Sequence, residues 1–79
     1  MHYVYILYSQ NLKKYYTGST NDIKKRIFAH NAGKVRSTKS GKPWKLVYYE
    51  AFLIKKLAKR EELFLKSGKG RERIRYLFN

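Results

Sequence analysis

The chain has 79 residues, with 19 Lys and Arg against five Asp and Glu, and its formal net charge at pH 7 is +14. This length predicts a single domain over residues 1–79 with a small core, and the absence of cysteine excludes disulfides, Cys-ligated zinc and thiol redox chemistry. The charge excess favours a polyanionic partner, nucleic acid before an anionic membrane surface, over a merely solvated surface.

The N-terminus and the hydropathy predict a cytoplasmic protein without membrane association. The segment MHYVYILYSQ has no basic region, no long apolar run and no small-residue cleavage site. No window of the chain approaches the run of about 18 apolar residues that a membrane span requires.

Three strands are predicted. Residues 2–9 (HYVYILYS) and 14–19 (KYYTGS) are rich in aromatic and β-branched residues and flank the polar QNLK, so they predict a β-hairpin. A third strand is expected over 45–52 (KLVYYEAF), after Pro43.

A first helix is predicted from the turn residues after the hairpin. Ile23 and Ile27 mark its apolar side, Thr20 or Asn21 is expected to cap it, and Gly33 is expected to stop it. The longest loop then runs over 31–43 (NAGKVRSTKSGKP).

Two further helices are predicted, one over 53–68 closed by Gly68 and a short last one over 71–78. The element order is therefore ββαβαα. It predicts an α/β (α+β) fold with a small three-stranded, largely antiparallel sheet flanked by helices.

Alternation along strands and the turn of a helix place five residues near one another. A hairpin in the right register sets Tyr5 beside Tyr16, and Arg26 and His30 lie one helical turn apart at the margin of the sheet. The missing side chain at Gly18 is expected to leave room for a ligand. The alternatives are core packing for each tyrosine, a solvated Arg26 and a surface or capped His30.

Two adjacent glutamates in the second helix compete for a functional role. A helical wheel places Glu61 within an apolar arc and Glu62 at its edge, so one carboxylate is expected to be partly buried. The wheel does not choose between them. The arc consists of Ile54, Leu57, Ala58, Phe64 and Leu65.

Over nearly its whole length the chain resembles the GIY-YIG nuclease superfamily, in particular its short stand-alone bacterial members. YVY at 3–5 and YTG at 16–18 resemble the two name motifs, with Tyr3 in place of the usual glycine and Thr17 in place of isoleucine. The segments RIFAHN, STKSGKPWKLVYYEAF and AKREELFLKSGKGRERI continue the similarity.

The resemblance implies a site. It points to Arg26 and His30 as site residues, and the spacing from Ala58 and to Lys66 selects Glu62 as the metal-binding glutamate. Asn79 is the candidate for an asparagine that many of these nucleases carry.

The chemistry that follows is phosphodiester hydrolysis with Mg²⁺, or alternatively Mn²⁺, on Glu62. Tyr5 is predicted as the base, with a pKa lowered by Arg26, by Lys13 or Lys14 and by the metal. Arg26 stabilises charge on the phosphate and Tyr16 holds water or phosphate, while His30 shares the proton transfer.

The sequence thus predicts an endonuclease acting on DNA or structured nucleic acid, or alternatively a catalytically idle basic binding module. Targeting is expected to use DNA shape, a homodimer or a partner protein. The predicted nucleic-acid-binding residues are Lys13, Lys14, Gly18, Lys34, Arg36, Lys39, Lys42, Lys66, Lys69 and Arg71, with Arg73 and Arg75 extending the basic C-terminal segment.

Overall fold

An antiparallel sheet lies between helices in the computed structural model, which describes residues 1–78. The strands are β1 (His2–Ser9), β2 (Lys14–Thr20) and β3 (Trp44–Phe52), arranged in the order β2-β1-β3. β1 pairs antiparallel with both neighbours, so it is the central strand and β2 is an edge strand. The three predicted strands and their pairing sense are confirmed.

The helices are α1 (Ile23–Asn31), α2 (Lys55–Lys66) and α3 (Gly68–Phe78). The predicted order ββαβαα is therefore confirmed. Within the predicted loop 31–43 lies a short 3₁₀ helix, Arg36–Gly41, called here the 3₁₀ segment.

Side chains of β1 alternate between two separate apolar clusters, one on each face of the sheet. We call these sides the α1 face and the α2/α3 face. The buried cluster on the α1 face contains Tyr5, Leu7 and Trp44, against which Tyr16, Ile27 and Leu46 pack. The cluster on the α2/α3 face contains Val4, Ile6, Ala58, Leu65 and Ile74.

The N-cap of α1 is Asp22, so the prediction of Thr20 or Asn21 was wrong. The Asp22 side chain accepts from the backbone N–H of Lys25 at 3.1 Å. Thr20 instead bonds to the backbone of Asp22 and shapes the turn that delays the helix. At the other end Gly33, at φ +75°, donates its N–H to the His30 carbonyl, which confirms the predicted stop.

The junction of α2 and α3 also differs from expectation, because Gly68 begins α3 and only Ser67 separates the helices. The Ser67 hydroxyl accepts from the N–H of Gly70 at 3.2 Å. A Cβ at Gly70 would lie 2.0 Å from the Phe64 carbonyl oxygen, so this sharp junction requires a glycine there.

The predicted apolar arc of α2 is confirmed only in part. Ala58 and Leu65 are buried, together with Glu62 from the edge of the arc, whereas Ile54, Leu57 and Phe64 are exposed. The buried row thus includes a glutamate with polar contacts beneath β2, which a wheel based on hydrophobicity does not register.

Candidate active site

Tyr5 lies at the middle of β1 on the α1 face and is only 1% exposed. It stands directly opposite Gly18 of β2. A Cβ at Gly18 would lie 2.5 Å from the Tyr5 hydroxyl oxygen. The space left by the missing side chain is therefore filled by the Tyr5 phenol, and the expectation that it accommodates a ligand was wrong.

The Tyr5 hydroxyl contacts two side chains of α1. Arg26 donates from Nε at 3.3 Å, and His30 Nε2 lies 2.9 Å away. Both reach the same oxygen because residues four apart share one side of a helix. The structure thus brings together three of the residues that the sequence singled out.

His30 is fully buried, so the surface alternative for this side chain is excluded. Its Nδ1 lies 2.7 Å from the hydroxyl of Thr38, in the 3₁₀ segment. The sequence did not indicate Thr38, since one hydroxyl residue in a polar loop that also contains Ser37 and Ser40 carries no distinguishing pattern.

Tyr16 is half-buried and completes this side of the site. Its ring centroid lies 6.4 Å from that of Tyr5 and 5.0 Å from that of His30. In the sheet Tyr16 faces Leu7, so it contacts Tyr5 diagonally and not as a direct cross-strand pair.

Burial dominates the electrostatics of this cluster. It raises the pKa of Tyr5 above the ordinary 10.0 even though the Arg26 hydrogen bond acts in the opposite direction, so the protein groups alone do not produce the expected lowering. Burial and the positive charge of Arg26 lower the pKa of His30 below 6.5. At neutral pH the phenol is therefore protonated, the imidazole is neutral, and Arg26 remains charged.

Glu62 lies on the other side of the sheet, beneath β2, and is 5% exposed. Its Oε1 accepts from the Ser19 hydroxyl at 2.7 Å and from Lys59 Nζ at 3.1 Å, and its Oε2 accepts from Lys66 Nζ at 2.8 Å. Burial alone would raise the pKa of this carboxyl, but the hydrogen bonds together lower it to about 2. Glu62 is thus a carboxylate at neutral pH.

Glu61 is in a different environment. Burial and the neighbouring Glu50 raise its pKa, and no lysine bonds to it in the described contacts. Of the two glutamates, Glu62 is the one that lies beside β2 and within a cluster of cations.

The free edge of β2 connects the two sides. Lys66 Nζ bonds to Glu62 and also lies 6.0 Å from the ring centroid of Tyr16. A groove of about 490 Å³ follows this edge between β2 and the helices α2 and α3, and its cationic lining consists of Lys14, Lys66, Arg71 and Arg75.

The other predicted binding residues lie elsewhere. Lys34, Arg36, Lys39 and Lys42 follow α1 around the 3₁₀ segment, where the side chains of Lys39 and Lys42 approach Gly33. Lys13 is in the hairpin turn with φ +53°, and Lys69 is exposed in the first turn of α3. The basic residues therefore form separate groups.

The donors for a metal ion are few. Within residues 1–78, no group of three or more His, Asp or Glu side chains lies close enough to hold one. Glu62 nevertheless fits Mg²⁺, which commonly takes one or two carboxylates and completes its shell with water and phosphate oxygens. Lys59 and Lys66 each bond to one carboxylate oxygen. Their side chains are 61% and 46% exposed, so both ammonium groups can exchange these bonds for bonds to water. Asn79, the candidate asparagine, lies outside the described residues.

Comparison with known proteins places this arrangement in a class. Residues 1–75 match the family of the GIY-YIG catalytic domain, and the chain belongs to the GIY-YIG family, a family of nucleases. Nucleases of this family act on nucleic acid and generally use divalent metals. The recognition of the family from its motifs is therefore confirmed.

Within this family the chain is similar to UPF0213 proteins. It is 40% identical over 77 residues to one from Streptococcus pyogenes, covering 95% of this chain and 83% of the relative. It is 45% identical over 67 residues to one from Clostridium perfringens, covering 84% and 71%. The solution NMR structure of a UPF0213 protein from Bacillus halodurans matches with a TM-score of 0.58 and 38% identity, over 98% of this chain and 84% of that one.

None of the helices in the described part of the chain has the length and apolar character to cross a bilayer.

Proposed function

We propose that this protein is a Mg²⁺-dependent endonuclease that hydrolyses phosphodiester bonds in DNA or structured nucleic acid. The observation that supports this proposal most is the buried Tyr5 hydroxyl, which bonds to both Arg26 and His30. A phenol that only packed in the core would need one hydrogen-bond partner, not a cation and an imidazole together.

In the proposed reaction Tyr5 is the general base. As water attacks phosphorus, the Tyr5 oxygen takes a proton from the water and passes its own proton to His30 Nε2. Because burial and Arg26 lower the pKa of His30, the imidazole is neutral at pH 7 and its Nε2 has a free lone pair to receive this proton.

The proton does not leave Tyr5 in the resting state. The two pKa values, ordinarily 10.0 for the phenol and 6.5 for the imidazole, are moved further apart by burial. Transfer therefore accompanies attack by water. Arg26 donates to the Tyr5 oxygen and stabilises negative charge that develops on it or on a phosphate beside it.

The groove along β2 is the proposed place for the phosphate backbone. Tyr16 and Lys66 line this groove, and they lie against Tyr5 and Glu62 respectively, so a strand bound along the edge would contact one neighbour of each. When bound at Glu62, Mg²⁺ would supply charge stabilisation for the phosphate and the leaving oxygen. Lys59 and Lys66 bond to Glu62 and keep it ionised in the resting protein. Both lysines would leave its oxygens when the cation binds.

Binding is expected to be mainly electrostatic, because a single domain with net charge +14 carries basic groups on several surfaces. If about five phosphates are neutralised, a plot of log K against log salt should have a slope of roughly −4 to −5 on duplex DNA. A flat salt response in an anisotropy titration would contradict this. Selection of a target would then rely on DNA shape, on dimerisation or on a partner protein.

A catalytically idle binding module is the second candidate, and one observation favours it. Both oxygens of Glu62 are already bonded to Ser19 and to two lysines, and no group of three or more His, Asp or Glu side chains in the described residues is placed to hold a metal ion. If the lysines are not displaced, the protein would bind nucleic acid without cutting it.

Incubation of the parent with branched, nicked, single-stranded and duplex DNA and with structured RNA, with and without Mg²⁺ or Mn²⁺, tests the proposal. Cleavage that requires metal supports the nuclease. Absence of cleavage on every substrate, with binding retained, would favour the idle module.

Glu62→Gln and Glu61→Gln form a matched pair for the metal site. Glu62→Gln should abolish metal-dependent cleavage and leave metal-free affinity unchanged or slightly tighter, since a carboxylate repels phosphate unless a cation lies between them. Glu61→Gln should still cut. If Glu62→Gln also cuts, Glu62 does not hold the metal.

A further inference from the structure

We infer that Thr38 is a positioning residue, which sets the tautomer of His30 so that its Nε2 accepts the Tyr5 proton. The inference rests on the proposed function only for its effect on cleavage. The tautomer itself is a property of the resting protein.

The assignment follows from counting protons along a buried chain of hydrogen bonds. The Tyr5 hydroxyl contacts Arg26 Nε, which is only a donor, and His30 Nε2. The phenol proton therefore has one acceptor among the described contacts, His30 Nε2. Since a neutral imidazole carries one proton, that proton must reside on Nδ1.

Thr38 is placed to accept a hydrogen bond from this Nδ1–H. Its hydroxyl oxygen lies 2.7 Å from His30 Nδ1, and the hydroxyl donates its own proton to the Val35 carbonyl at 3.3 Å. The chain thus runs in one direction, from Tyr5 to His30, then to Thr38, and ends on a backbone carbonyl.

The 3₁₀ segment that carries Thr38 is held at Thr38 itself and at its last residue, Gly41. Trp44 donates from Nε1 to the Thr38 carbonyl at 2.7 Å, and Asn31, the last residue of α1, donates to the Trp44 carbonyl at 3.0 Å. Ser9 of β1 donates to the Gly41 carbonyl at 2.6 Å. These bonds fix the Thr38 oxygen relative to both α1 and the sheet.

Burial makes the choice of tautomer sensitive to this oxygen. Thr38 and His30 are both 0% exposed, so water does not replace a missing acceptor at Nδ1. Without the hydroxyl, each tautomer leaves one donor unpaired, either Nδ1–H or the Tyr5 O–H, so the ratio should shift by about tenfold or more toward Nε2–H. An Nε2–H would donate to Tyr5 and could no longer accept its proton.

The experiment uses ¹⁵N NMR of the imidazole rings near pH 8, in the parent, Thr38→Val and Thr38→Ser. The chain has two histidines, so the assignment needs only one variant, His2→Gln. We expect the Nδ1–H tautomer at His30 in the parent and in Thr38→Ser, and the Nε2–H form or a mixture in Thr38→Val.

An Nε2–H tautomer in the parent would overturn the inference, and so would an unchanged Nδ1–H tautomer in Thr38→Val. The parent measurement and Thr38→Ser keep the test decisive even if Thr38→Val does not fold. If the protein cleaves nucleic acid, Thr38→Val should lower kcat by about 10- to 100-fold with little change in KM, and Thr38→Ser should restore it. A parent that does not cleave would contradict the proposed function and leave the tautomer result standing.

Discussion

The two faces of the sheet stabilise their buried polar groups in opposite ways. On the α1 face, the buried groups Tyr5, His30 and Thr38 are neutral and form one directed chain of hydrogen bonds. On the α2/α3 face, Glu62 is charged and bonds to two lysines whose side chains are largely exposed.

This difference indicates which side can change during a reaction. A neutral buried network has fixed partners, and its protons can move only along the existing bonds. An ion pair made by flexible lysines can exchange one cation for another, because each ammonium remains close to water. The α1 face is therefore suited to moving a proton, and the α2/α3 face is suited to exchanging a lysine for a metal ion.

A large effect on cleavage should come from Arg26, the charged residue that touches the neutral network. Arg26→Ala should lower cleavage on the order of 10²-fold or more, as loss of a preorganised charge stabiliser commonly does. The fold should persist because Arg26 is exposed and lies outside both apolar clusters. Single-turnover cleavage and thermal melting measure the two effects separately. Normal cleavage by a folded Arg26→Ala would remove Arg26 from the mechanism.

A smaller effect is expected at Gly18, which admits the Tyr5 phenol. Gly18→Ala would place a Cβ 2.5 Å from the Tyr5 hydroxyl, so it should destabilise the protein by about 1–3 kcal/mol, as overpacking usually does. Gly68→Ala is the matched control, because a Cβ there has no neighbour within 4 Å. Urea denaturation compares the two. Equal stability of the two variants would contradict the tight contact at Tyr5.

On acidification, the two faces should lose stability in two different pH ranges. The folded pKa of His30 lies below 6.5, because burial and Arg26 disfavour the charged ring, so below pH 6.5 the unfolded chain takes up a proton more readily and stability falls. The folded pKa of Glu62 is about 2 against an ordinary 4.5, so its contribution is complete above pH 4.5 and is lost as pH falls toward 2.

His30→Gln and Glu62→Gln distinguish these windows in urea denaturation at a series of pH values. The first variant should flatten the stability curve below pH 6.5, and the second should flatten it below pH 4.5. A parent whose stability does not fall as the pH drops below 6.5 would contradict the His30 assignment, and one that does not fall further between pH 4.5 and 2 would contradict the Glu62 assignment.

Much of the fold followed from local patterns. The strand segments were rich in β-branched and aromatic residues, and the four-residue spacing of Arg26 and His30 gave their proximity on α1. The contacts of Glu62 and His30 were harder to foresee. Ser19 is 43 residues from Glu62, and Thr38 comes from a loop whose Gly41 carbonyl is bonded by Ser9, 32 residues away. Patterns of hydrophobicity do not encode such polar pairs. For the same reason, the side of α2 that is buried was predicted only in part.

The central claim, that the Tyr5 hydroxyl takes part in the chemistry, is tested most directly by the cleavage rate of Tyr5→Phe. This change keeps the ring that packs against Tyr16 and removes only the oxygen bonded to Arg26 and His30. Tyr8→Phe, which alters a tyrosine outside that network, is the matched control. The account predicts that Tyr5→Phe folds and cleaves about 10²–10⁴-fold more slowly than Tyr8→Phe and the parent. Cleavage by Tyr5→Phe at the parental rate would contradict it.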